Sequence, residues 1–137
     1  MIREDIVAHV HRWFEEVWNQ QNESVIDEMM AEDLNVDGFD PSGASLHGRE
    51  TFKEMRRQYL EMFPDLHVTV DRVAVDGDDS IAWLTCRGTA QPAAFGMVGE
   101  PKPVEFSTVA WATVRDGKYI GGKNLIDFAA VMRQLEA

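Results

Sequence analysis

The sequence predicts an α+β fold, in which helices are gathered ahead of a run of long antiparallel strands and one more helix closes the chain. Three observations carry that expectation. Apolar residues recur every three or four positions up to Phe63, and every second position from Leu66 onward. Two Asp-Gly turns, in "DGDD" and "RDGK", separate the alternating runs and mark hairpins. The stretch "FAAVMRQL" then returns to helical spacing. Helices segregated from an antiparallel sheet define the α+β class. Long strands curl, so helices laid over the concave side enclose a cone-shaped hollow suited to a small molecule.

Each element follows from local pattern. Ile6, Val10, Trp13, Phe14 and Val17 form one apolar stripe, which predicts an amphipathic helix from Arg3 to Gln20. "NQQNES" closes it, and a short helix restarts at Ser24, an N-cap by type with Asp27 three residues on. "DLNVDGFDPSGASLHGRE" is rich in Asp, Gly, Ser and Pro and reads as short strands around a loop. Phe52, Met55, Tyr59, Met62 and Phe63 mark a third helix, which Pro64 ends. Leu66, Val68 and Val70 then alternate with polar residues, and "SIAWLTCRGTA", "VEFSTVAWATV" and "YIGGKNLI" supply the remaining long strands. The total is five to six strands packed against three to four helices.

Composition narrows the function classes. The 137 residues suit a single domain, 1–137, with a sizeable core, and the 45% apolar content is globular. A net charge of −11, with no basic cluster larger than Arg56-Arg57, argues against nucleic acid and against anionic membranes. "MIREDIVAHV" has no long apolar run, so neither a signal peptide nor a membrane span is expected. Cys86 is the single cysteine, which excludes an internal disulfide and fits a reducing, cytoplasmic setting. The four His and one Cys show no zinc spacing, and no metal site is expected.

Several spaced stretches carry a resemblance: "VWNQQNESVIDEMMAEDL", "LHGRETFKEM", "FPDLHVTVDRVAVDGD", "RGTA", "GEPKPVEFSTVAWATVRDGKYI" and "NLIDFAAVMRQL". Together they resemble the SnoaL-like polyketide cyclases of the NTF2-like (cystatin-like cone) superfamily, over nearly the whole chain. The resemblance implies a cone-shaped pocket, no metal or organic cofactor, and an ionisable side chain near the end of the last strand. In the cyclases that residue is an Asp acting as general acid/base in an aldol closure, and Asp127 matches it. The family's tryptophan four residues earlier is Lys123 here, and the His that often follows Gly-Thr is Ala90. Two relatives fit less well. The first helix lacks the tyrosine of ketosteroid isomerases, and Ser80–Gly99 lacks the carboxylate of limonene-type epoxide hydrolases.

The candidate residues have competing roles. Asp127 in a dry cone would have a raised pKa and could exchange protons with a carbon acid; it is equally well placed to cap the last helix. Asn124 could hydrogen-bond an enolate or carbonyl oxygen, yet it lies three residues before Asp127, so a regular strand points the two to opposite faces. His47 falls near the cone's open end in this superfamily and is a candidate to polarise the same oxygen. Trp83 and Phe106 are expected in the apolar wall, with Tyr59, Trp18 and Met29 at its edge. The expected ligand is a small apolar carbonyl compound, and the alternative is a binding module without chemistry. The sheet's convex face, bearing Trp111 or its neighbours, is expected to make a homodimer.

Overall fold

The computed structural model describes residues 2–40 and 42–137. It places β1 (Met30–Asp37), β2 (Leu46–His47), β3 (His67–Asp76), β4 (Asp79–Ala90), β5 (Lys102–Arg115) and β6 (Lys118–Ile126) in one curved sheet. The strand order is β2-β1-β6-β5-β4-β3. Helices α1 (Arg3–Arg12), α2 (Ser24–Met29), α3 (Arg49–Met62) and α4 (Phe128–Glu136) complete the α+β cone that the sequence predicts. One pairing departs from the expected antiparallel meander: β1 runs parallel to β6, with Asn35 beside Gly121 and Val36 beside Gly122. The chain between β1 and β6 runs through β2, α3 and three further strands, a connection far longer than a hairpin, and such a long crossover permits parallel pairing.

The first helix does not stay α-helical to Gln20. From Trp13 to Asn19 it widens to π turns, and the Gln20 amide bonds the Glu15 carbonyl five residues back at 2.8 Å. The buried guanidinium of Arg56 on α3 donates to the Val17 carbonyl from Nε at 3.1 Å and from Nη2 at 2.9 Å. That carbonyl is therefore satisfied without a standard helical partner. Asn19 then clamps the start of β3, accepting from the Val68 amide at 2.7 Å and donating to the Val68 carbonyl at 2.9 Å. At α2 the expected cap is replaced: Ser24 is the first helical residue, and its hydroxyl donates to Asn22 Oδ1 at 2.7 Å.

Pairing register fixes which side chains face the helices. Ala82 pairs with Ala110 and Ala110 with Asn124, while Ser80 pairs with Ala112 and Ala112 with Gly122. Alternate residues on β4 and β5 therefore make the concave face, and Trp83, Trp111 and Leu125 stand on the convex one at 40%, 50% and 64% exposure. The aromatic core lies between helices and sheet, where Trp18, Phe52, Tyr59 and Phe63 pack edge-to-face or tilted at centroid distances of 5.4–6.3 Å. Among the described residues, no helix is long and apolar enough to cross a membrane.

Candidate functional site

Between the helices and the concave face lies a cavity of about 80 Å³ that opens to the surface. Trp13, Phe14 and Trp18 of the first helix wall it on one side, with Phe52 and Tyr59 of α3 beside them. Ala82, Leu84, Ala110 and Ala112 form the sheet side. Small residues on the strands leave room that the aromatic residues of the helices do not fill. The run "STVAWATV" alternates small inward residues with larger outward ones, which hollows the sheet rather than filling it.

The polar groups in this hollow are few and neutral. Asn124 lines it from β6, and its Nδ2 donates to the Asp37 carbonyl over a long 3.4 Å. Gly38 makes that approach possible. Its φ is +100°, and a Cβ there would lie 1.9 Å from the Asn124 carbonyl oxygen, so only glycine lets the chain leaving β1 lie this close to β6. Ser80, Cys86 and Thr108 also line the cavity, and the Cys86 thiol donates to Thr108 Oγ1 at 3.8 Å. Burial pushes that thiol up to about 11 and keeps it protonated. Tyr59 and Tyr119 complete the set. Both phenols are held above their ordinary range by burial, so they remain donors at any physiological pH. Among the described residues, no three His, Cys, Asp or Glu side chains are grouped to hold a metal.

The structure sorts the residues singled out in the sequence. Asn124, Tyr59 and Trp18 line the cavity. Asp127 follows the end of β6, is exposed, and accepts the Ala130 amide at 3.1 Å as the N-cap of α4. It does not line the cavity. The odd spacing from Asn124 thus sends the two side chains different ways. His47 is exposed on the short β2 rung, with Nδ1 2.8 Å from Asn35 Oδ1, and is outside the cavity. Trp83, expected in the wall, is on the convex face because Ala82 and Leu84 take the inward positions on β4; Arg72 lies over its ring at 5.6 Å. Phe106 points inward but packs on Phe63 at 5.2 Å, in the core beyond the cavity's end. Met29 is buried in the core behind it, and the neighbouring Met30 is the lining methionine. Lys123 pairs across from Trp111 on the convex side.

Ser80, Cys86, Thr108 and Tyr119 are polar groups of the cavity beyond those singled out from the sequence. Strict alternation with Ala82 and Ala110 was the signal for the first three. Tyr119 had none, because a bulge that skips Ile120 pairs Thr113 with Gly121 but Val114 with Tyr119.

Comparison with known proteins agrees with this frame. No curated protein matches the chain in sequence. Among solved structures, a candidate SnoaL-like polyketide cyclase from Jannaschia sp. CCS1 superposes with a TM-score of 0.86 at 26% identity, over 98% of this chain and 93% of that one. IdmH, a candidate polyketide cyclase from Streptomyces antibioticus, gives 0.83 at 22% identity, over 96% and 99%. A Catenulispora acidiphila protein with a ketosteroid isomerase-like fold, in complex with trimethylamine, gives 0.77 at 19%, over 92% and 90%. The family model for the SnoaL-like polyketide cyclases matches residues 8–135. With nearly the full length matched in sequence pattern and in fold, the chain belongs to the SnoaL-like polyketide cyclase family.

Proposed function

We propose that the cone binds a small, largely apolar carbonyl compound and promotes its cyclisation or isomerisation by holding it folded and hydrogen-bonding its carbonyl oxygen. The observation that carries this reading is a hollow walled by aromatic and methyl groups into which uncharged hydrogen-bonding groups project. The Asn124 amide, tied only by one long bond, is free to turn an N–H toward an oxygen that gains negative charge during enolisation. A preformed apolar mould also lowers the entropy cost of ring closure by fixing the reacting ends near each other.

A test needs no knowledge of the natural substrate. 2-Octanone is expected to raise the thermal unfolding midpoint saturably, as a ligand of the native state must. Ala110→Leu, which fills the cavity beside Asn124, is expected to abolish that shift while the protein stays folded. Equal shifts in both proteins, or none in the wild type, would overturn the binding reading.

A second reading keeps Asp127 as acid/base, favoured by its place directly after Ile126, which lines the cavity. Asp127→Asn separates the two, because Asn caps a helix as well as Asp does but cannot take a proton. Unchanged turnover by that variant removes Asp127 from the chemistry; a loss of two or more orders of magnitude assigns it the proton transfer.

The same proposal includes a homodimer through the convex face, supported by the exposed Trp83, Trp111 and Leu125 on adjoining rows of the sheet. It also includes a reducing, cytoplasmic setting, consistent with the lone thiol of Cys86.

A further inference from the structure

The cavity runs along the strands rather than across them. Ser80 and Cys86, six residues apart on β4, both contribute to its lining. The two tyrosines mark opposite ends of that run. Tyr119 pairs with Val114, two residues beyond the Ala112 that faces Ser80. Its ring packs against Trp13 at 5.1 Å. Tyr59 lies at the other end: it packs on Trp18 at 5.5 Å and on Phe63 at 5.4 Å, and Phe63 packs on Phe106, the residue paired with Cys86 across β4 and β5. Both side chains are more than nine-tenths buried, at 7% and 5% exposure, and both line the cavity. Neither phenol oxygen takes part in a hydrogen bond among the described residues, and neither is one of the fully enclosed polar atoms left without a partner, which are His9 Nε2 and Arg49 Nε. Each O–H therefore reaches open space, and the space beside it is the cavity, where a water or ligand supplies the acceptor.

The charge of the lining is equally informative. Among the described residues, no Lys, Arg, His, Asp or Glu contributes to it. A carboxylate or an ammonium bound there would lose its hydration with no counter-charge in return.

Resting on the binding reading above, we propose that Tyr59 and Tyr119 determine specificity, selecting an uncharged ligand that carries an oxygen acceptor toward each of its two ends. Each phenol donates to one of those oxygens, and the aromatic wall between them grips the carbon chain.

A matched series tests this by shifts of the thermal midpoint: octane, 2-octanone, 2,7-octanedione with its homologues from about six to twelve carbons, and octanoate. Each added acceptor is expected to tighten binding about fivefold, with an optimum dione length, and octanoate at neutral pH is expected to bind at least about tenfold more weakly than 2-octanone. Tyr59→Phe and Tyr119→Phe keep the rings and remove the donors. Each is expected to lower the best dione's affinity about fivefold and leave octane's unchanged. Equal binding of octane and the ketones, octanoate as tight as 2-octanone, or phenylalanine variants that match the wild type would each overturn the inference while leaving the apolar cavity in place. If octane and every ketone fail to bind, the binding reading falls with it. Should a variant not fold, the wild-type ranking of the compounds decides alone.

Discussion

The carboxylate of Asp127 holds the Ala130 amide at 3.1 Å, and the backbone of the same residue donates to Ser107 at 3.1 Å, so both its polar ends fasten α4 to the sheet. Asp127→Ala is expected to destabilise the fold by about 1 kcal/mol, with Asp127→Asn within a few tenths of the wild type, as read from urea midpoints. A loss as large in the Asn variant would mean that charge, not capping, is the contribution. At this scale the sequence was legible where parity rules alone decide. Asn124 and Asp127 differ in facing because three is odd, and Ala82, Leu84 and Cys86 alternate inward. Applied to Trp83, the same parity turns the ring outward. The expectation that it joins the wall weighed the aromatic type above the register. Tyr119 was not legible in this way, since the bulge at Ile120 resets the alternation just where it mattered.

Elements show the same division between pattern and packing. Periodicity marks the four helices and the long strands, because each buries one face against a common core. The π turns of Trp13–Asn19 have no such signature. They depend on a tertiary partner, Arg56, which is buried at 3% exposure and also faces Glu23 at 3.5 Å. Arg56→Leu removes both donors to the Val17 carbonyl and leaves that oxygen buried without a partner. A cost of about 2–4 kcal/mol is expected from the charge-assisted bonds lost and the orphaned acceptor. Because Trp13 and Trp18 ride on those turns and wall the cavity, the near-ultraviolet circular dichroism of the folded variant is expected to change along with its stability. A large loss of stability with an unaltered aromatic spectrum would show that Arg56 ties the helices together without shaping the wall.

Over the whole molecule, protons act through a group that neither functional reading uses. His9 sits on α1 with its ring edge-on to Tyr119 at 4.5 Å, and its Nε2 is buried without a partner. Burial, and secondarily the Arg12 guanidinium, lower its pKa from 6.5 to about 4. The fold therefore prefers the neutral ring. The stability it contributes is complete above pH 6.5 and is lost as pH falls toward 4. The loss is expected to be about 1–2 kcal/mol, well short of what the full shift would carry, because the ring is partly exposed. Carboxylates such as Glu23 and Asp65, held below their usual range by Arg57 and by Thr89, lose stability in the same direction at lower pH. The difference between the wild type and His9→Phe isolates the histidine: its pH dependence is expected between 4 and 6.5 and to vanish above. A flat difference across that window would place His9 in solvent. Assembly is read separately at neutral pH. With Trp83, Val109 and Leu125 in one row and Ile81 and Trp111 in the next, the convex face offers an apolar patch that a two-fold partner covers with its own copy. Two new carboxylates there, in Trp111→Glu with Leu125→Glu, bring four like charges into a symmetric interface and none into the core, since both side chains are half or more exposed. Sedimentation is expected to show a dimer for the wild type and a folded monomer for the variant. A wild type that sediments as a monomer at all accessible concentrations would leave that face to a different partner.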